Sequence, residues 1–180
     1  LLMAQKQVQE QAQKMRQAFI IAKSGAWSME ANIDGTDATL IFSDEYYALL
    51  GTTAEEQGGY KMSIQNWTEK FLVPEDAPEV LAQFVDVLKN EEFNLVSEFR
   101  LRKINGEIIN YQTNLKTKHY PTEGTIRGEG IAQDITERKQ LEAEREQRNK
   151  ELKEAFKIAK MASWRIESEG VDTPLDKIVC

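Results

Sequence analysis

The 180-residue sequence holds one cysteine, one histidine and four prolines, and these shortages remove most catalytic readings at once. Cys180, alone, leaves no internal disulfide and fits a reducing compartment. His119 precedes Tyr120-Pro121 at the end of a predicted strand and reads as a surface residue rather than a ligand or general base. No Cys/His zinc spacing, phosphate-cradling glycine loop, nucleophile elbow or phosphorylatable histidine box is present. The RGEGIAQD run lacks the third glycine and the strand-turn-helix setting of a dinucleotide site. A basic surface is missing too: the net charge is -7 and the isoelectric point about 5.0, which argues against a nucleic-acid partner. No apolar run approaches the roughly 20 residues that span a bilayer. Leu1 to Ile20, broken throughout by Gln and Lys, does not read as a secretory leader, so the Asn66-Trp67-Thr68 glycosylation pattern carries little weight.

What is present is a chain with 41% apolar residues, too rich for disorder and long enough for one domain with accessory structure. It also starts over. Ala18/Ala155, Phe19/Phe156, Ile21/Ile158, Ala22/Ala159, Lys23/Lys160, Trp27/Trp164 and Glu30/Glu167 share one offset of 137 residues. A helix-then-strand module is repeated in tandem, and a chain that stops soon after its second start reads as an excised fragment of a larger protein. The expected division is an N-terminal amphipathic helix over 1–24, a domain over 25–136, a linker helix over 137–162 and the start of a second copy over 163–180. That second start holds at most one or two strands, so it is expected to be weakly ordered or to lean on a neighbouring surface.

Val8, Ala12, Met15, Phe19 and Ala22 recur at spacings of 4, 3, 4 and 3, a heptad seam on a helix. An amphipathic helix packed on its own domain and a dimeric coiled coil both satisfy that pattern. Ala26 to Ile33 and Thr39 to Phe42 read as strands around a turn at Asp34-Gly35, and Ser43 as the cap of a short helix closed by Gly51. Small helices are predicted at Ala54–Gln57 and Ile64–Phe71, and a longer one from Pro74 to Asn90 with Leu81, Phe84 and Leu88 on one face. Phe93 to Arg102 alternates with period two, Asn105-Gly106 marks a hairpin, and Ile109, Tyr111 and Leu115 continue the apolar face. The third strand of this set, Thr125 to about Ile135, puts Gly128, Gly130 and Ala132 on one face and leaves room for a helix or a ligand. From Glu137 to Lys160 eight basic and six acidic residues, with Glu144/Arg148 and Glu146/Lys150 pairs, describe a continuous exposed helix.

The order of these elements resembles the PAS sensor domains. Ser97 to Glu142 looks like the C-terminal half of such a domain, ending in G-x-A-Q-D-I-T-E-R-K, and GAWSME, FSDEYYALLG and LVPEDAPEV resemble its N-terminal half. The resemblance covers roughly Phe19 to Lys139. It implies an α+β PAS fold, a five-stranded antiparallel sheet with short helices on one face and flanking signalling helices. It implies a cytoplasmic sensory and dimerisation module of a bacterial signalling protein such as a sensor kinase, a diguanylate cyclase or a chemoreceptor. The fragment itself would be non-catalytic and linked to an output domain, and membrane anchoring of the whole protein stays open. Asp134, Ile135, Thr136 and Glu137 would form the signal-transfer junction; on the residues alone, Asp134 is equally an ordinary helix cap. The cysteine of photoadduct flavin domains and the helix histidine of haem-binding relatives are both missing, which leaves a noncovalent small molecule. Phe42, Tyr47, Leu50, Phe71, Leu72, Phe84, Phe99, Tyr111 and Ile131 are candidates for a pocket, or for plain core. A ligand-free module that only spaces coiled coils is the competing function.

A homodimer held by the N-terminal seam follows from the exit helix, whose equivalent positions begin with polar Arg145 and Asn149 before Leu152, Phe156 and Ala159. Replacing Met15 and Phe19 together with Glu is expected to yield monomers in sedimentation equilibrium; an unchanged dimer places the interface elsewhere.

Overall fold

The computed structural model describes residues 2–169, with side-chain burial for 5–161. The chain runs α1 (Leu2–Ile21), β1 (Ser24–Asn32), β2 (Thr39–Phe42), α2 (Asp44–Leu49), β3 (Lys61–Ser63), α3 (Ile64–Phe71), α4 (Ala77–Lys89), β4 (Glu92–Arg102), β5 (Ile108–Tyr120), β6 (Thr125–Asp134) and α5 (Thr136–Glu169). A 3-10 turn, Pro74–Asp76, leads into α4. All strand pairs are antiparallel, in the order β3-β2-β1-β6-β5-β4. The chain divides into two compact units after Thr136.

The sheet has six strands among the described residues, not the five expected. The additional one, β3, pairs three residues with Thr39–Ile41 at the sheet edge. A run that short shows no alternation to read. The helix expected at Ala54–Gln57 is instead a set of turns. Thr53 and Glu56 do form the reciprocal cap of a helix start, with the Glu56 amide donating to Thr53 Oγ1 at 3.2 Å and the Thr53 amide to Glu56 Oε2 at 3.1 Å. Gly58 and Gly59, both at positive φ, then turn the chain away.

The long strands follow their alternation. Leu101 on β4, with Ile109, Tyr111, Thr113 and Leu115 on β5, face inward, while Arg100, Arg102 and Lys116 face out. α2, α3 and α4 cover this inner face with Tyr46, Tyr47, Trp67, Phe71 and Val87. The inward face of α4 differs from the expected one: Val80, Phe84, Val87 and Leu88 pack on the core and Leu81 is 50% exposed. Ser43 caps α2 as its sequence indicates, accepting from the Tyr46 amide at 3.2 Å.

The expected second copy lies partly outside the described residues. Up to Glu169 the chain continues α5, so Trp164 to Glu167 are helical where the offset pairs them with strand β1. A strand needs a partner edge for its backbone groups, whereas a helix satisfies its own.

At Gly25 an added Cβ would overlap the backbone of Tyr46, where β1 runs against α2. Gly25→Ala is expected to lower unfolding stability by about 3 kcal/mol in urea titrations.

Candidate functional site

Between the inner face of the sheet and α3 and α4 lies an apolar cavity of about 80 Å³. Its floor is made by side chains of β1, β2, β4 and β5, with the backbone of β6 running beneath Trp27 and Met29. Gly128 and Gly130 keep the floor low, and the room they leave is taken by side chains of β1, not by a helix. The Trp27 indole lies on Gly130, its register partner, so closely that a Cβ there would sit 2.5–2.8 Å from the ring. Trp27 Nε1 donates to Thr113 Oγ1 at 3.0 Å, which pins the ring across β6 to β5. Met29 covers Gly128 in the same way.

The wall is aromatic. Phe42 stacks on Tyr46 at 4.2 Å between centroids, Phe99 leans on Tyr111 at 4.8 Å, and Trp67 meets Phe99 edge-on at 6.1 Å. Trp67 Nε1 donates to the Tyr46 hydroxyl at 3.0 Å, and the Tyr111 hydroxyl lies 3.4 Å from that of Tyr46. Burial, reinforced by the nearby Tyr111, pushes the Tyr46 phenol well above its ordinary value, and burial raises that of Tyr111 as well. Both remain neutral hydroxyls across the physiological range.

Of the pocket residues expected from sequence, Phe42, Phe84, Phe99 and Tyr111 line this cavity. Tyr47, Leu50, Phe71 and Leu72 are buried in the surrounding core without lining it, and the Tyr47 hydroxyl donates to the Gly59 carbonyl at 2.8 Å. Ile131 is on the wrong face. It is 48% exposed on the outer side of the sheet, as period two demands once Gly130 and Ala132 face in. Trp27, Tyr46, Trp67 and Gln83 also line the cavity. Trp67 was findable, because it precedes the expected Phe71 by four residues on one helix face.

The residues expected to form a junction meet at one point. The Ile135 amide donates to the Asn110 carbonyl at 2.8 Å, the Asn110 amide returns a bond to Thr136 Oγ1 at 2.8 Å, and Ile135 is buried. Asp134 Oδ1 accepts from the Thr136 amide at 2.9 Å, a turn two residues wide ahead of α5. The Asp134 amide donates to the Lys23 carbonyl at 2.9 Å, and Gln133 Nε2 to the Ala22 carbonyl at 3.1 Å. Lys23 takes positive φ where helices commonly place glycine, turning α1 directly into β1. The end of α1 and the start of α5 are therefore tied to the same strand end. Glu137, the last expected junction residue, occupies the first turn of α5.

On α1, Val8 and Met15 are 65% and 64% exposed, Ala12 and Ala22 are exposed, and Phe19 is half-buried. Met15, Phe19 and Ala22 border an open groove on the outer sheet face beside Asn114 and Ile131.

With this geometry in place, the family profile for the PAS fold matches residues 39–132, over half of the chain. The chain belongs to the PAS fold family. A sensory box histidine kinase/response regulator from Burkholderia thailandensis E264 matches with a TM-score of 0.57 at 19% identity, covering 78% of this chain and 98% of its own. The N-terminal domain of a diguanylate cyclase with PAS/PAC sensor from Marinobacter aquaeolei matches at 0.47 and 19% identity, over 62% of this chain and 95% of its own. A PAS domain from Colwellia psychrerythraea matches at 0.48 and 16% identity, over 70% and 98%. No curated protein matches.

In this PAS domain the cavity is well below the roughly 300 Å³ of ordinary cofactor and drug sites. His119 Nε2 is 3.0 Å from the Val87 carbonyl of α4 and lines no part of the cavity. Among the described residues no group of His, Cys, Asp and Glu is arranged to hold a metal ion. Among the described residues no histidine, cysteine or charged side chain lines the cavity.

α4, the outer wall, is anchored at its start by Asp76, whose carboxylate accepts from the Arg100 amide at 2.7 Å, from Nε at 3.1 Å and from a terminal guanidinium nitrogen at 2.6 Å. The guanidinium bonds, helped by the backbone bond and the charge, hold the Asp76 carboxyl below its ordinary 3.8 against a smaller effect of burial. A carboxyl depressed in the folded state stabilises above its unfolded value and ceases to do so as pH falls through the folded one. Asp76→Asn is therefore expected to be less stable than the parent at pH 7. The gap should close as pH falls below about 3.8; a gap constant from pH 7 to pH 2 in denaturant titrations would contradict the anchor.

Proposed function

We propose that this PAS domain is a cytoplasmic sensory and dimerisation module of a bacterial signal-transduction protein. A small molecule bound in the cavity biases the inner wall, and the change reaches an output domain through Asp134-Ile135-Thr136 and α5. The observation that carries this reading is the double tie at the junction: the Lys23 carbonyl bonds the Asp134 amide, and Asn110 brackets Ile135 and Thr136. Tyr111, adjacent to Asn110 on β5, lines the cavity. One residue thus separates the cavity wall from the start of the output helix. The exposed α1 seam supports dimerisation through that helix, with the second copy placing its own Val8 and Met15 against it.

A helix passes on a rotation only in register, since each residue turns its face by about 100°. In the protein that carries this module with its output domain, inserting one residue after Leu141 is expected to bias or abolish regulation, and inserting seven largely to restore it. Asp134→Ala is expected to uncouple stimulus from output while the domain stays folded, because losing such a cap costs about 0.5–2 kcal/mol. Normal regulation in Asp134→Ala, with output indifferent to insertion length, would make α5 a passive linker.

A further inference from the structure

Every proton of the polar groups in the cavity wall between Trp67 and Thr113 has an acceptor. The Trp67 indole N–H donates to the Tyr46 hydroxyl at 3.0 Å, and the Tyr46 and Tyr111 hydroxyls lie 3.4 Å apart. The Tyr111 hydroxyl is hydrogen-bonded in turn to the Thr113 side chain. Thr113 Oγ1 takes the Trp27 indole proton at 3.0 Å and lies 3.4 Å from the Ile131 carbonyl. Hydroxyl protons rotate to suit their neighbours, so one direction serves the whole row: Trp67 to Tyr46, Tyr46 to Tyr111, Tyr111 to Thr113, and Thr113 to the backbone of β6. Among the described residues the buried side-chain polar atom without a partner is Thr125 Oγ1, which does not line the cavity.

The row is therefore closed, and it offers a guest nothing to bond. A molecule with a donor or an acceptor would give up its bonds to water on entering and find no replacement. Water itself needs two to four polar partners to occupy such a space, so the cavity stays dry. Gln83 lines the wall from α4 but is only half-buried, so solvent meets the demand of its amide. The volume, about 80 Å³, is close to half of the roughly 150 Å³ apolar cavity that takes benzene, which leaves room for about three heavy atoms.

We infer that the cavity takes a small neutral molecule of about three heavy atoms without a hydrogen-bonding group, of the short-chain hydrocarbon class, and that the closed row from Trp67 to the Ile131 carbonyl excludes polar molecules of the same size. This rests on the reading of the cavity as the sensory site, and it names the ligand chemistry that reading leaves open.

The test uses the 180-residue chain, labelled with nitrogen-15, and three probes of one size: propane, dimethyl ether, which adds an acceptor, and ethanol, which adds a donor as well. Each is titrated while the indole N–H resonances of Trp27 and Trp67 are followed, and each affinity is divided by that probe's partition from water into hexadecane. Propane is expected to bind, and the ether and the alcohol to gain no advantage over it after normalisation. A tenfold normalised preference for either polar probe overturns the inference, and so does an absence of shifts with propane. Thr113→Val keeps the shape of the wall but removes the acceptor of the Tyr111 hydroxyl and the Trp27 indole. In that variant the normalised affinity of the ether is expected to rise about tenfold while that of propane holds; an unchanged ether affinity in the folded variant overturns the role given to the row. If the variant does not fold, the parent titrations decide alone. Because no output is measured, the junction reading stands or falls separately. Propane binding beside normal regulation in Asp134→Ala retains the ligand class and removes the proposed route, and failure to bind propane beside lost regulation does the reverse.

Discussion

The contact on which the site depends is the Trp27 indole lying on Gly130 and held by Thr113. It joins three strands through one ring: β1 supplies the indole, β6 the bare backbone beneath it, and β5 the acceptor at its far edge. A side chain at position 130 would lift the ring into the cavity, and loss of Thr113 Oγ1 would leave a half-buried N–H unmatched. The height of the floor sets how little space remains under α3 and α4, and so the size of anything the domain can hold.

The sequence was most legible where one physical rule acts alone. β2 has the bounds its residues suggested, Ser43 caps α2, and the β4–β5 hairpin turns through Gly106 at positive φ, because pleat alternation, side-chain capping and glycine's tolerance of that conformation are all local. β3 was not legible, since its three residues are a strand only through the edge that β2 offers. The cavity was half legible. Aromatic residues could be picked as inward, but whether a ring lines a void or fills the core behind it depends on which element packs above it. Tyr46 and Tyr47 differ in this way although they are neighbours: one meets Trp67 and Tyr111, the other turns to the Gly59 carbonyl. Ile131 was misplaced against a rule already in use, since an inward Gly130 forces its neighbour outward.

The tie between Lys23 and Asp134 has a mechanical meaning. β1 and β6 are antiparallel, and the chain enters β1 and leaves β6 at the same end, where Ser24 faces Gln133; nine register pairs run from there to Asn32 and Thr125. Tension applied through residues before Ser24 and after Asp134 would open this ladder like a zipper, loading one pair of hydrogen bonds at a time. Strands pulled from opposite ends would instead resist in shear, with all bonds sharing the force. The domain is therefore built to yield to small forces at the one place where its flanking helices meet it, while the far end of the sheet is left undisturbed.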